Sequence, residues 1–196
     1  MRRMMLGIAA ALALAVPSNS VSAQASARQG FYISLGLGWG TESDRCDGFA
    51  STGDCGPGGS GLSGYFAIGG TLSPSWRLGF ESNGWTADIG NGVTQTVGMY
   101  SAAIAYYPSK TNDFWIKGNV ASVRNALSGG GATDAVTGLA LGAGLGFDFH
   151  PRNGKFALIP FMNYFYQLSG GGVSGGSGGT VRASLFQVGV GIGYRH

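Results

Sequence analysis

The sequence is short of charge. Asp, Glu, Lys and Arg make up 11% of its 196 residues, under half of the roughly 25% usual in a soluble domain. A water-soluble globule needs a well-charged surface, and this chain cannot furnish one. Cysteine is limited to Cys46 and Cys55, and histidine to His150 and His196, which leaves little material for a zinc centre or a nucleophile and base pair. No unbroken apolar run of about 18 residues follows the first segment, so a membrane-spanning helix is excluded. Disorder is excluded too, because 44% hydrophobic and 12% aromatic residues are too apolar for a solvated chain.

The first segment has its own grammar. Arg2 and Arg3 precede an apolar run from Met4 to Val16, then Pro17 and small polar residues. That order reads as a secretory signal peptide, with Val21 and Ala23 marking cleavage before Gln24. Residues 1–23 are expected to direct export through the Sec pathway, and residues 24–196 to form one domain. Removing two of the 12 basic residues leaves 10 against 9 acidic ones, a net charge of +1. The remaining basic residues are scattered, without the cluster that phosphate binding needs, which argues against nucleic acid. In an oxidising compartment Cys46 and Cys55 are expected to form a disulfide. The nearby acids Glu42, Asp44, Asp47 and Asp54 match no 12-residue calcium loop, so a solvated acidic loop is expected, with no metal and no cofactor.

What the chain has in abundance is glycine, 38 residues, set in an alternating pattern. Leu139, Leu141, Ala143, Leu145, Phe147 and Phe149 alternate with Ala140, Gly142, Gly144, Gly146 and Asp148. Phe186, Val188, Val190, Ile192 and Tyr194 alternate with Gln187, Gly189, Gly191 and Gly193, and Phe31 to Trp39 repeat the scheme. A period of two is the strand signature, and glycine at every second position would cost a helix about 1 kcal/mol each. Extending the pattern predicts eight strands, near 31–39, 62–72, 76–86, 94–107, 113–124, 137–149, 156–168 and 182–195. Most match the roughly 9 to 11 residues that cross a bilayer at a tilt. The parity of the fourth is open, since Val97, Met99, Tyr100 and Ile104 fit either face.

The links between these strands alternate in length, the odd-numbered ones being longer than their neighbours. Long outer loops and short periplasmic turns are the pattern of outer-membrane barrels. Trp76, Tyr106, Tyr107, Phe114, Trp115, Phe147, Phe149, Phe156 and Tyr194 fall beside the short links and are expected to form a periplasmic girdle. Trp39, Trp85, Tyr166 and Phe186 are expected at the opposite rim. The segments Asn125 to Val136 and Ser169 to Val181 read as flexible outer loops rich in small residues.

Together the leader, the strands and the unequal links resemble the small Gram-negative outer-membrane barrels, the OmpA-like and OmpX-like transmembrane domain family. The likeness runs over the mature chain. Its most specific part is the last strand, where Gln187, Gly189, Ile192 and Tyr194 look like the C-terminal assembly signal of that class, although Arg195 and His196 extend past the aromatic. Trp76 to Glu81 also resembles the family's third strand, with an inward Arg and Glu. The resemblance implies an all-β, eight-stranded antiparallel up-and-down transmembrane barrel in the outer membrane. It also implies contact with outer-membrane lipid and lipopolysaccharide, and barrel-assembly machinery and periplasmic chaperones as partners in biogenesis.

With apolar residues toward lipid, the lumen is expected to receive Arg77, Glu81, Asn83, Lys117, Asn119, Asp148, Asn163, Gln167, Gln187 and Arg195. Buried charges must pair, so a packed polar core is one reading. A narrow ion or solute path past the inward glycines is the other. Catalysis is not expected, because neither His lies at the outer rim. The function expected is therefore a monomeric surface-exposed or structural barrel, with the Cys46 to Cys55 loop and Phe49 as the candidate recognition surface.

Overall fold

The computed structural model describes residues 28–47, 53–54, 58–109, 112–151, 154–169 and 180–196. The leader, Phe49, Cys55 and most of the Ser169 to Val181 segment lie outside them, as does the Cys46 side chain, so the expected disulfide falls beyond the described parts. Eight long strands follow one another: Phe31–Asp47 (β1), Gly59–Ser73 (β2), Trp76–Gly90 (β3), Val93–Tyr106 (β4), Phe114–Gly129 (β5), Ala132–Phe147 (β6), Phe156–Ser169 (β7) and Thr180–Arg195 (β8). Each pairs antiparallel with the next, and β8 returns to β1 in an unbroken register from Tyr32↔Arg195 to Asp47↔Thr180. The sheet is closed, so its wall has no free edge. A two-residue segment, Gly53–Asp54, pairs with Arg45 and Cys46 at one end of β1.

The alternation sorts side chains as a barrel turned inside out. Leu37 is 65% exposed and Phe156 68%, while Val97 and Phe165 are 0% exposed on the inner face. Leu35, Trp39, Phe80, Val120, Leu141, Val190 and Ile192 join the outer belt. In the fourth strand Val97, Met99 and Ser101 point inward, and Tyr100 and Ile104 outward, which fixes the parity left open. So continuous an apolar belt needs an apolar solvent around it.

Two expected outer loops are not loops. β3 runs on to Gly90 and β4 starts at Val93; β5 runs to Gly129 and β6 starts at Ala132. The connections are the two-residue turns Asn91-Gly92, with φ of 54° and 69°, and Gly130-Gly131, with φ of 59° and 83°. Positive φ at both positions is the type I′ hairpin geometry, matched to the twist of the strands. Above the belt the outward residues turn to hydroxyls that pair across strands, as in Thr86–Thr96 at 3.3 Å, Ser128–Thr133 at 3.0 Å and Thr41–Ser60 at 3.0 Å. Strand pairing therefore outlasts the apolar pattern that announced it. The long and short ends differ in how far the strands overhang the belt, not in the length of these two links.

Candidate functional site: a layered lumen

Both described chain ends, Arg28 and His196, lie at one mouth of the barrel, the end expected to be periplasmic. There Arg28, 2% exposed, closes the opening like a latch. Its guanidinium donates to Pro74 O at 2.8 Å, Ser109 O at 3.2 Å, Asp113 Oδ1 at 3.1 Å and Asn112 O, and lies 4.2 Å from the Tyr107 ring centre. Asp113 also meets His150 Nδ1 at 3.1 Å. Burial alone would raise the Asp113 carboxyl, but His150 and Arg28 outweigh it and hold the group below its ordinary range. His150 is thus a link in the latch.

Above the latch sits an ion-paired layer. Arg77 donates to Asp148 Oδ2 at 2.8 Å and to Tyr107, while Trp115 Nε1 reaches Asp148 Oδ1 at 2.8 Å. Lys117 meets Glu81 at 2.5 Å, and Asn83 donates to the same carboxylate at 2.8 Å. Asn119 bonds Ser101 at 3.0 Å, and Asn163 lies 3.4 Å from Asn83. Arg77, Glu81, Lys117, Asn119, Asp148 and Asn163 therefore share one stretch of the lumen. Gln167 and Gln187 lie further out and engage backbone, at Ala183 N and Gly84 O. Arg195 lines the small, partly open cavity near the latch, of about 60 Å³, room for a few waters.

The glycine rows are filled rather than open. A Cβ on Gly36 or Gly191 would run into Tyr65, one on Gly142 into Phe165, and one on Gly146 into Trp115. The aromatics occupy the volume that the glycines vacate. Tyr107 and Trp115, expected in the outward girdle, are 1% and 7% exposed and point inward, and Trp85, expected at the outer rim, is 2% exposed. Trp85 packs with Val97, Met99, Val123, Phe165 and Leu185 into an apolar layer across the outer half of the lumen. The parity of the polar residues could have found it: Trp85 follows Asn83 by two, Phe165 follows Asn163 by two, and Leu185 precedes Gln187 by two. Arg28, isolated in the sequence before the first strand, carried no such signal.

Beyond the apolar layer lie Glu42 and Asp44, 1% and 9% exposed. They were expected in a solvated loop, but β1 continues past the belt and turns both inward. Asp44 accepts from Gln95 Nε2 and Asn125 Nδ2, each at 3.1 Å. Burial and the neighbouring Asp44 push the Glu42 carboxyl up to about 9. In the assembly-signal strand, Gln187 and Gly189 face the lumen and Ile192 faces out, while Tyr194 packs beside Phe156 with ring centres 5.2 Å apart.

No protein-family model and no curated protein matches the chain. Solved structures do. Neisserial surface protein A superposes with a TM-score of 0.59 at 14% identity, covering 85% of this chain and 97% of that one. The N-terminal β-barrel domain of Pseudomonas aeruginosa OprF gives 0.51 at 11% identity, over 86% and 98%. The attachment invasion locus protein Ail of Yersinia pestis, solved with the heparin analogue sucrose octasulfate, gives 0.51 at 14% identity, over 84% and 99%. The fold is that of the small eight-stranded outer-membrane barrels. Identity this low carries the architecture and nothing of the lumen, so the layers of this small barrel stand on its own residues.

Proposed function

We propose that this chain is an integral outer-membrane β-barrel of a Gram-negative cell with a structural, surface-exposed role, a closed lumen and no catalysis. The observation that carries the reading is the apolar layer of Trp85, Val97, Met99, Val123, Phe165 and Leu185, set inside a wall whose outer face is itself apolar. Eight strands leave an interior that side chains can fill, and an ion crossing a dry apolar layer would lose its hydration without replacement. Outer-membrane lipid and lipopolysaccharide are the partners that suit the belt. Periplasmic chaperones and barrel-assembly machinery suit the C-terminal strand, whose Gln187, Gly189, Ile192 and Tyr194 are the positions they would read. A monomer is favoured, because closure uses the strand edges that would otherwise pair.

The competing reading, a narrow ion or solute pore, draws on the cavity beside Arg77 and Lys117. Planar-bilayer recording separates the two. Refolded residues 24–196, verified as folded by a heat-modifiable gel shift, are expected to stay silent at two salt concentrations. Discrete openings that change on Lys117→Ala would establish a pore and end the closed-lumen reading.

A further inference from the structure

The outer end of the lumen has more acceptors than donors. Glu42 and Asp44 point inward from β1, and Gln95, 0% exposed, packs against them from β4. The Gln95 amide donates to Asp44 Oδ2 at 3.1 Å and Asn125 Oδ1 at 3.2 Å, and Asn125 donates to Asp44 Oδ1 at 3.1 Å. Both oxygens of Glu42 and the side-chain oxygen of Gln95 are buried without a hydrogen-bond partner. The surrounding wall presents Gly59 from β2, Trp85 and Ala87 from β3, Val97 from β4 and Leu185 and Ala183 from β8, none of which carries a charge. Arg45 and Arg182, register partners at this height, stand on the outward parity.

We propose that Glu42, Asp44 and the Gln95 side-chain oxygen form a binding site for one hard divalent cation, calcium above all, at the outer mouth of the barrel. Carboxylate and amide oxygens without nitrogen or sulfur are the ligands that calcium prefers. One cation would balance the two carboxylates held in a buried place and coordinate the three oxygens that have no donor. With only two carboxylates, and water completing the shell, affinity falls in the weak range of extracellular calcium modules, about 10⁻⁴ to 10⁻³ M. The site stands above the belt and is independent of whether the lumen conducts.

Terbium, a luminescent substitute for calcium, tests this directly. The Trp85 indole donates to Gly40 O at 3.0 Å, and its ring lies against Gly59, the register partner of Glu42, so it is placed to sensitise an ion held there. The full mature chain, refolded in non-ionic detergent free of lipopolysaccharide, is expected to give tryptophan-excited terbium emission that millimolar calcium displaces. Calcium is also expected to raise the temperature of the gel-shift transition. Glu42→Gln and Asp44→Asn should each weaken both effects at least tenfold. Trp85→Phe should lose emission yet keep calcium protection, and Asp47→Asn with Asp54→Asn should keep both. The absence of emission and of calcium protection at about 10 mM, well above the affinity expected, would overturn the proposal. So would responses that survive Glu42→Gln and Asp44→Asn or vanish with the Asp47 and Asp54 changes. Protection by acid alone, with no calcium response, would mean a shared proton and would also overturn it.

Discussion

Lys117 and Glu81 show what single residues contribute in the lumen. Their charges lie 2.5 Å apart, with side chains 6% and 4% exposed. Removing one partner of such a buried pair leaves an unpaired charge and costs about 3–5 kcal/mol, whereas replacing both by apolar groups of similar size is often neutral. Lys117→Met is therefore expected to lower the denaturant midpoint strongly, and Lys117→Met with Glu81→Leu to recover most of the loss; equal destabilisation by the two variants would show that the pair is not a unit. Asp113 makes a pH-dependent contribution. Its folded carboxyl titrates below its unfolded value, so its stabilisation is present above about pH 4 and is lost as pH falls through the folded value. Asp113→Asn should flatten the acid limb of the stability curve, and an unchanged limb would remove Asp113 from the latch. The inward position of Arg77, Glu81 and Lys117 was legible because each breaks an apolar row by charge alone. Arg28 was not, because nothing around it in sequence tells that four backbone and side-chain acceptors converge on it.

At the scale of the element, strand existence was readable and strand length was not. Outward apolar residues announce each strand, and where those residues stop, near Thr86 and Asn125, the alternation predicts that the strands stop too. Pairing continued because hydroxyl pairs replaced lipid contact on the outward face. The Asn91-Gly92 dipeptide is itself a hairpin signal, which the alternation of link lengths does not use. These turns depend on left-handed backbone at Gly130 and Gly131, where an ordinary side chain costs roughly 1–2 kcal/mol. Gly131→Val should therefore fray the tip between β5 and β6, seen as faster amide exchange near Gly129, and leave exchange in the belt unchanged. Loss of protection throughout β5 would mean that the turn, and not the belt, holds this hairpin in register.

For the whole molecule, the decisive feature is the change in lumen chemistry along the barrel axis. The sequence leaves a packed polar core and a narrow path as the two readings of the lumen, but the inward rows turn apolar after Asn83, Asn119 and Asn163, and small glycines face large aromatics instead of solvent. The height of Trp85 among the aromatics points to the outer rim, whereas its parity with Asn83 points into the lumen, where it lies. If this layer is what closes the barrel, its volume is the gate. Trp85→Ala with Phe165→Ala removes two rings from one cross-section, and each such truncation in a packed core costs about 3–5 kcal/mol. Folding must therefore be verified by gel shift before recording. The double variant is expected to open a small ohmic conductance where the unmodified chain is silent, and each single variant to give less than half of it. Because the opened path would pass Asp44 at the outer mouth, it should favour cations, and adding Asp44→Asn should reduce that preference. A folded double variant that remains silent would shift closure to the Arg28 latch and the Tyr65–Phe161 contact, whose ring centres lie 4.7 Å apart nearer the chain ends.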